Sequence, residues 1–122
     1  MNRGVNRQRV FENAGDHAYF SALAGDYALE YKVHVYHWAW MQNHYHMLIE
    51  VTFDNLRPFV GGLQQAYAQY HHKRHSTCGV FWQGRFKSKP VEIGEYMVRC
   101  GRYIERNPVR AGIADNAWEC RW

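Results

Sequence analysis

Long hydrophobic runs are absent from this sequence of 122 residues, and with them any segment able to cross a membrane as a helix, which needs about 20 consecutive apolar residues. The opening stretch MNRGVNRQR is polar and basic with no apolar segment behind it, so a secretory signal pattern is missing too. Cysteine is scarce: Cys78, Cys100 and Cys120 are odd in number and widely spaced. They supply neither a disulfide framework nor a paired thiolate zinc site, and a reducing, cytoplasmic setting with no membrane partner is the expectation. Linkers, low-complexity tracts and internal repeats are also lacking, so a single domain over residues 1–122 is expected.

What is abundant points towards a polyanion. The formal charge is +4 and aromatic residues make up 16% of the chain, many of them beside basic ones. Rings that stack on bases and cations that follow phosphates suit single-stranded nucleic acid, although a well-packed core uses the same rings.

Hydrophobic periodicity predicts the order α-β-β-α-β-α. Asp16 to about Tyr31 reads as a helix with Asp16 as N-cap and Phe20, Leu23, Tyr27 and Tyr31 as its stripe. Lys32 to Trp40 and His44 to Thr52 read as strands joined by a short turn at Gln42 and Asn43. Asn55 to His75 reads as a helix, with Pro58 in its first turn and Gly61 and Gly62 weakening it. Gly79 to Val91 reads as extended, and Gly94 to Asn107 as a last helix stopped by Pro108. This order implies the α+β class, an antiparallel sheet with helices packed on it.

Strand alternation places Tyr45, Met47, Ile49 and Val51 on the core face of the second strand, with His44, His46, Leu48 and Glu50 on the other. Two imidazoles on one face are a ready pair of metal ligands; the plainer alternative is a half-exposed strand face in a histidine-rich protein. By the same parity His34 and His37 fall on opposite faces and are poor co-ligands. On the last helix Met97, Cys100 and Ile104 form the apolar stripe, and Tyr103 lies roughly 90° away with Tyr96, Arg99 and Asn107. Tyr103 and Asn107 are one turn apart, flanked by Arg99 and Arg106, which suits a nucleophile beside a metal ligand with cations for a phosphate. Tyr103 alone would more simply be a helix-packing ring.

The runs MQNHYHMLIE, FWQGRF and RYIERNPVRAG, in that order, resemble the single-tyrosine HUH transposases. The resemblance is to the REP-associated tyrosine transposase branch of the insertion-sequence-200-like superfamily, and it extends to the NRGVNR stretch at the start. It implies a ferredoxin-like or RRM-like sheet, Tyr103 as catalytic nucleophile, and His44, His46 and Asn107 as ligands of a divalent metal ion, Mn²⁺ or Mg²⁺. Members of this group cleave and rejoin single-stranded DNA at hairpin-containing repeats through a 5′-phosphotyrosine intermediate, and a homodimer is open to them. The chemistry is coherent, because a phenol with a pKa of about 10 needs charge stabilisation at the scissile phosphate to act as a nucleophile.

Arg85, Trp82 and Gln83 are candidate DNA contacts, Trp82 having core packing as its alternative. Lys73 and Arg74, at a basic helix end, read either as phosphate contacts or as cations favoured by the helix dipole. Arg99, Arg106 and Arg110 complete the candidate DNA-binding set. Relatives of this type begin one strand earlier and continue past the final WECRW, so the chain is expected to be clipped at both ends and to lack the usual first strand. Two other functions fit the residues: a decayed or domesticated, non-catalytic hairpin-binding module, and a metal-dependent phosphodiesterase using water as nucleophile.

Overall fold

The structure, a computed structural model, describes residues 1–112, so Cys120 and the closing WECRW run lie outside the described residues. Three strands, β1 (Asn2–Arg3), β2 (His34–Met41) and β3 (His44–Glu50), form an antiparallel sheet in the order β1-β3-β2. Three helices accompany it: α1 (Ala14–Glu30), α2 (Phe53–His75) and α3 (Glu95–Arg110). The class is α+β, with a reduced sheet.

β2 and β3 alternate rings and aliphatic side chains that fit a pleated surface, and Gln42 and Asn43 turn the chain between Met41 and its partner His44. The sheet separates two apolar layers. On one face Tyr45 and Trp40 are buried with Phe20 of α1 and Phe59, Leu63 and Tyr67 of α2. On the other, Ala39, Met41 and Leu48 meet Ile104 of α3, with Met97 and Cys100 beside it. The apolar stripe expected on the last helix is therefore its packing face. A buried polar chain crosses the first layer: the Gln64 amide donates to the Tyr45 hydroxyl at 2.6 Å, and Asn2 Nδ2 donates to Gln64 Oε1 at 3.2 Å. These bonds tie β1, β3 and α2 together and satisfy groups that would be costly to bury alone.

Local details depart from the sequence expectation, each for a physical reason. The α1 N-cap is Asn13, whose Oδ1 accepts from Gly15 N and Asp16 N; Asp16, three residues on, instead accepts the Glu12 N–H at 2.9 Å. Burial opposes ionisation of Asp16, but that N–H, His75 and Tyr70 together hold its carboxyl below the usual range. Pro108 does not stop α3, which runs on to Arg110: the ring is buried, and so near the helix end its missing N–H forfeits a single bond.

Residues 79–91 form no regular strand, because Gly79 and Gly84 take positive φ of 97° and 76° and break the extended run. A lone bridge from Trp82 to Gly4 remains, together with bonds from Val5 N to Phe81 O, Gln83 N to Arg3 O and Lys87 N to Met1 O. The segment thus flanks the N-terminus as an irregular edge. Nor is the first strand wholly missing, since Asn2 and Arg3 pair with Tyr45 and His44. A bulge between Val35 and His37 also reverses the parity of β2, so that His34, opposite Glu50, and His37, opposite Leu48, share a face. They are not drawn into a pair, since His37 Nδ1 lies 2.8 Å from Glu105 Oε1 of α3.

Two helical glycines separate propensity from packing. A Cβ on Gly61 would meet nothing within 4 Å, whereas one on Gly101, buried against β2, would lie 2.6 Å from His37 Nε2. Gly61→Ala should therefore raise stability by about 0.5–1 kcal/mol in urea unfolding. Gly101→Ala should lower it by about 1–3 kcal/mol by forcing α3 off the sheet. Equal effects of the two changes would show that the contact at Gly101 does not set the position of α3.

Candidate active site

His44 and His46 project from β3 on the α3 side of the sheet, their rings 5.0 Å apart between centroids and nearly perpendicular. Asn43 Nδ2 donates to the Arg7 carbonyl at 3.4 Å, which turns Asn43 Oδ1 towards His44 Nδ1, 2.7 Å away. That oxygen can only accept, so His44 carries its hydrogen on Nδ1 and leaves the Nε2 lone pair free for a metal. Burial, then the nearby Arg3 guanidinium, pushes the His44 pKa down. His46 is pushed down to about 4 by burial, with His44, the terminal amine and Arg3 adding to the effect. Both rings are therefore neutral at neutral pH, the protonation state a metal requires.

Tyr103 stands over this pair from α3. Its ring is half-exposed and meets the His46 ring edge-on, 6.2 Å between centroids. The Arg110 guanidinium carbon lies 6.0 Å from the Tyr103 ring centre. Asn107, one turn on, folds back along its own helix and donates Nδ2 to the Tyr103 carbonyl at 2.8 Å, which leaves its amide oxygen as the atom suited to bind a cation. Two neutral imidazoles and an amide oxygen fit a borderline ion such as Mn²⁺ better than Mg²⁺, which prefers carboxylates and water.

An open cleft of about 590 Å³ runs along α3 between Arg99, Arg102, Tyr103, Arg106, Val109 and Arg110. Arg102 was not singled out in the sequence, although its spacing from Arg99 and Arg106 puts all three on one side of the helix. Arg3 was missed for a different reason: only the pairing of a two-residue strand sets it opposite His44. Together these residues make an electropositive surface around Tyr103 that suits phosphate oxygens.

The other candidate DNA contacts lie elsewhere. Gln83 and Arg85 are exposed on the irregular segment, Gln83 in a small recess with Met1, Asn2, Arg3 and Lys87. Trp82 turns inward, its Nε1 donating to the Gln64 carbonyl at 2.9 Å and its ring edge-on to Tyr45 and Phe81, so the core packing weighed as its alternative is what the fold contains. Lys73 and Arg74 are exposed at the end of α2, in the helix layer on the Tyr45 face of the sheet, across from α3. No helix among the described residues is long and apolar enough to cross a membrane.

The model of the family described as "Transposase IS200 like" matches residues 1–107, which include His44, His46, Tyr103 and Asn107. No curated protein and no solved structure matches the chain.

The neutral histidines make stability depend on pH. An imidazole held neutral in the fold binds fewer protons than the same imidazole in the unfolded chain, whose pKa is about 6.5. The stability His46 supplies is thus complete above about pH 6.5 and is lost as the pH falls towards its folded value of about 4. Urea midpoints of metal-free protein should decline across that window, and His46→Asn should flatten the decline. An unchanged slope in the variant would show that His46 is not the neutral group inferred.

Proposed function

This chain belongs to the IS200-like transposase family, and from that premise we propose that it is a single-tyrosine DNA transposase of the HUH type, nearest the REP-associated branch. Its substrate is single-stranded DNA carrying hairpin-containing repeats. The observation that carries the reading is the edge-on approach of the Tyr103 ring to His46, at 6.2 Å, within one chain. Tyr103 lines the arginine-rich cleft along α3, and its ring also meets His46, which comes from a segment almost 60 residues away in sequence.

In this mechanism the Tyr103 oxygen attacks the scissile phosphorus as its phenol proton leaves to solvent. The bond from phosphorus to the 3′ oxygen breaks, that oxygen takes up a proton, and the 5′ phosphate remains esterified to Tyr103. One phosphodiester replaces another, so a free 3′-OH can reverse the step on a second strand without ATP. His44 and His46 would hold a divalent cation, with the Asn107 amide oxygen as a third donor; such a cation would supply positive charge to stabilise the charge developing on the phosphate. Arg102, Arg106 and Arg110 hold the flanking phosphates along α3, and Arg3 supplies a cation beside His44.

Incubation with a single-stranded hairpin and Mn²⁺ should leave a protein–DNA adduct that survives denaturation. Tyr103→Phe should abolish the adduct while hairpin affinity stays within about twofold, and His44→Ala should reduce its rate at least ~10³-fold. An adduct that persists in Tyr103→Phe would remove this tyrosine as nucleophile. Binding without any adduct in the unaltered chain would favour the non-catalytic module. Cleavage lost in His44→Ala but kept in Tyr103→Phe would mark a phosphodiesterase that uses water.

The arginine stripe makes a separate prediction. Each phosphate contact to a single strand contributes about 0.7 to the slope of log affinity against log salt. Arg102→Ala and Arg106→Ala should each shallow that slope by about this amount in fluorescence anisotropy. No change in either variant would place the strand off α3.

A further inference from the structure

Across the sheet from Tyr103, the start of α1 meets the end of α2, and three side chains gather there that the proposed reaction does not use. Asp16, in the first turn of α1, is completely buried. His71 and His75 stand one helical turn apart on α2, with ring centroids 4.3 Å from each other. One donor atom from each of Asp16, His71 and His75 lies within 4.8 Å of the other two.

Two of the three are accounted for without a metal. Asp16 Oδ2 accepts the Glu12 N–H at 2.9 Å, Oδ1 accepts the Tyr70 hydroxyl at 3.2 Å, and His75 Nε2 lies 3.0 Å from Oδ2 and 3.1 Å from Oδ1. Arg74 Nε, on a half-exposed side chain, is 3.6 Å from Oδ1. Hydrogen bonding between the Asp16 carboxylate and the His75 Nε2–H explains these contacts. His71 is left over: it is 5% exposed, and neither of its ring nitrogens has a hydrogen-bond partner. A neutral imidazole carries one N–H and one lone pair, and burying both unpaired is unfavourable. The rings of Phe81 and Tyr67 pack against it at 4.6 and 6.2 Å between centroids.

We propose that Asp16, His71 and His75 form a second metal site, taking Zn²⁺ or a similar borderline divalent ion, that clamps α1 to α2. Two imidazole nitrogens and one carboxylate oxygen are a zinc donor set, and they leave one tetrahedral position for water. Bonds of about 2.0–2.1 Å put tetrahedral donors roughly 3.3 Å apart, so the cluster needs only a modest contraction. His75 and Arg74 are partly exposed and can give way as the ion enters. The Glu12 N–H and Tyr70 hydroxyl already orient the carboxylate, as outer-shell donors do around zinc. His71 and His75 also lie in the last turns of α2, where the negative end of the helix dipole favours a cation. Nitrogen donors disfavour Mg²⁺ and Ca²⁺. The site is independent of His44 and His46, which lie on the other face of the sheet.

The test uses the full chain carrying His44→Ala and His46→Ala, stripped of metal by a chelator and titrated with Zn²⁺ alone. One equivalent should bind per chain, read by competition with a chromogenic chelator, and the thermal midpoint should rise, while Mg²⁺ should leave it unchanged. Adding His75→Gln, which keeps a polar partner for Asp16, should weaken Zn²⁺ binding at least about 100-fold without lowering the metal-free midpoint appreciably. His71→Ala should weaken Zn²⁺ binding as well, while lowering the metal-free midpoint because it leaves a cavity against Phe81; if it does not fold, the His75→Gln result stands alone. No bound equivalent in the His44→Ala, His46→Ala chain would overturn the proposal, as would full zinc affinity in the His75→Gln variant.

Discussion

The register of β3 is the constraint on which the rest of this molecule depends. Tyr45 enters the layer beneath α1 and α2 with its hydroxyl held by Gln64 at 2.6 Å, and Gln64 is held in turn by Asn2. Because strand side chains alternate with a period of two, seating Tyr45 on that side commits His44 and His46 to the other. A slip of one residue would bury the imidazoles among Phe20, Phe59 and Leu63 and expel Tyr45, with its full burial and its hydrogen bond lost at once. The face that carries the proposed site is thus specified by the core face opposite it.

α3 completes the arrangement from the far side. Its stripe of Met97, Cys100 and Ile104 packs on Ala39, Met41 and Leu48, and Gly101 lets the helix backbone approach His37 closely. With those contacts set, a rotation of about 100° per residue carries Tyr103 to the edge of the helix above His46. His37 and Glu105 pin the helix further along at 2.8 Å. Two independent packing faces, one on each side of the sheet, therefore meet at a single pair of side chains.

Those features with a strong local period were legible in the sequence. The alternation through His44–Glu50 and the short turn before it predicted the hairpin, and the stripe on the last helix predicted which side of α3 would pack. Features that depend on partners far along the chain were not. Asp16 looked like a helix cap, and its role as a buried acceptor is visible only once His75, 59 residues away, is beside it. The bulge after Val35 reversed a parity argument that was sound for a regular strand. Arg3 gained its place opposite His44 from a strand too short to show any period. Pro108 ranked as a helix stop because burial, which makes its ring worth keeping, is not a local property.

Electrostatics joins these pieces. Around Tyr103 the chain sets Arg99, Arg102, Arg106 and Arg110, and beside the imidazoles it sets Arg3 and its own terminal amine. The carboxylates of α3 are Glu95 and Glu105, and each is engaged: Glu95 with Arg99 at 3.1 Å, Glu105 with His37 at 2.8 Å. On the proposed reading, a divalent ion held by His44, His46 and Asn107 would gain no compensating charge from those donors. The balancing anion would then come from outside, and a substrate phosphate would serve both the ion and the arginines. On this view ion and nucleic acid each complete the other's binding site, so affinity for either is coupled to the other. The Asp16, His71 and His75 cluster is a different design, since it carries its own carboxylate, which would offset part of an ion's charge without any substrate.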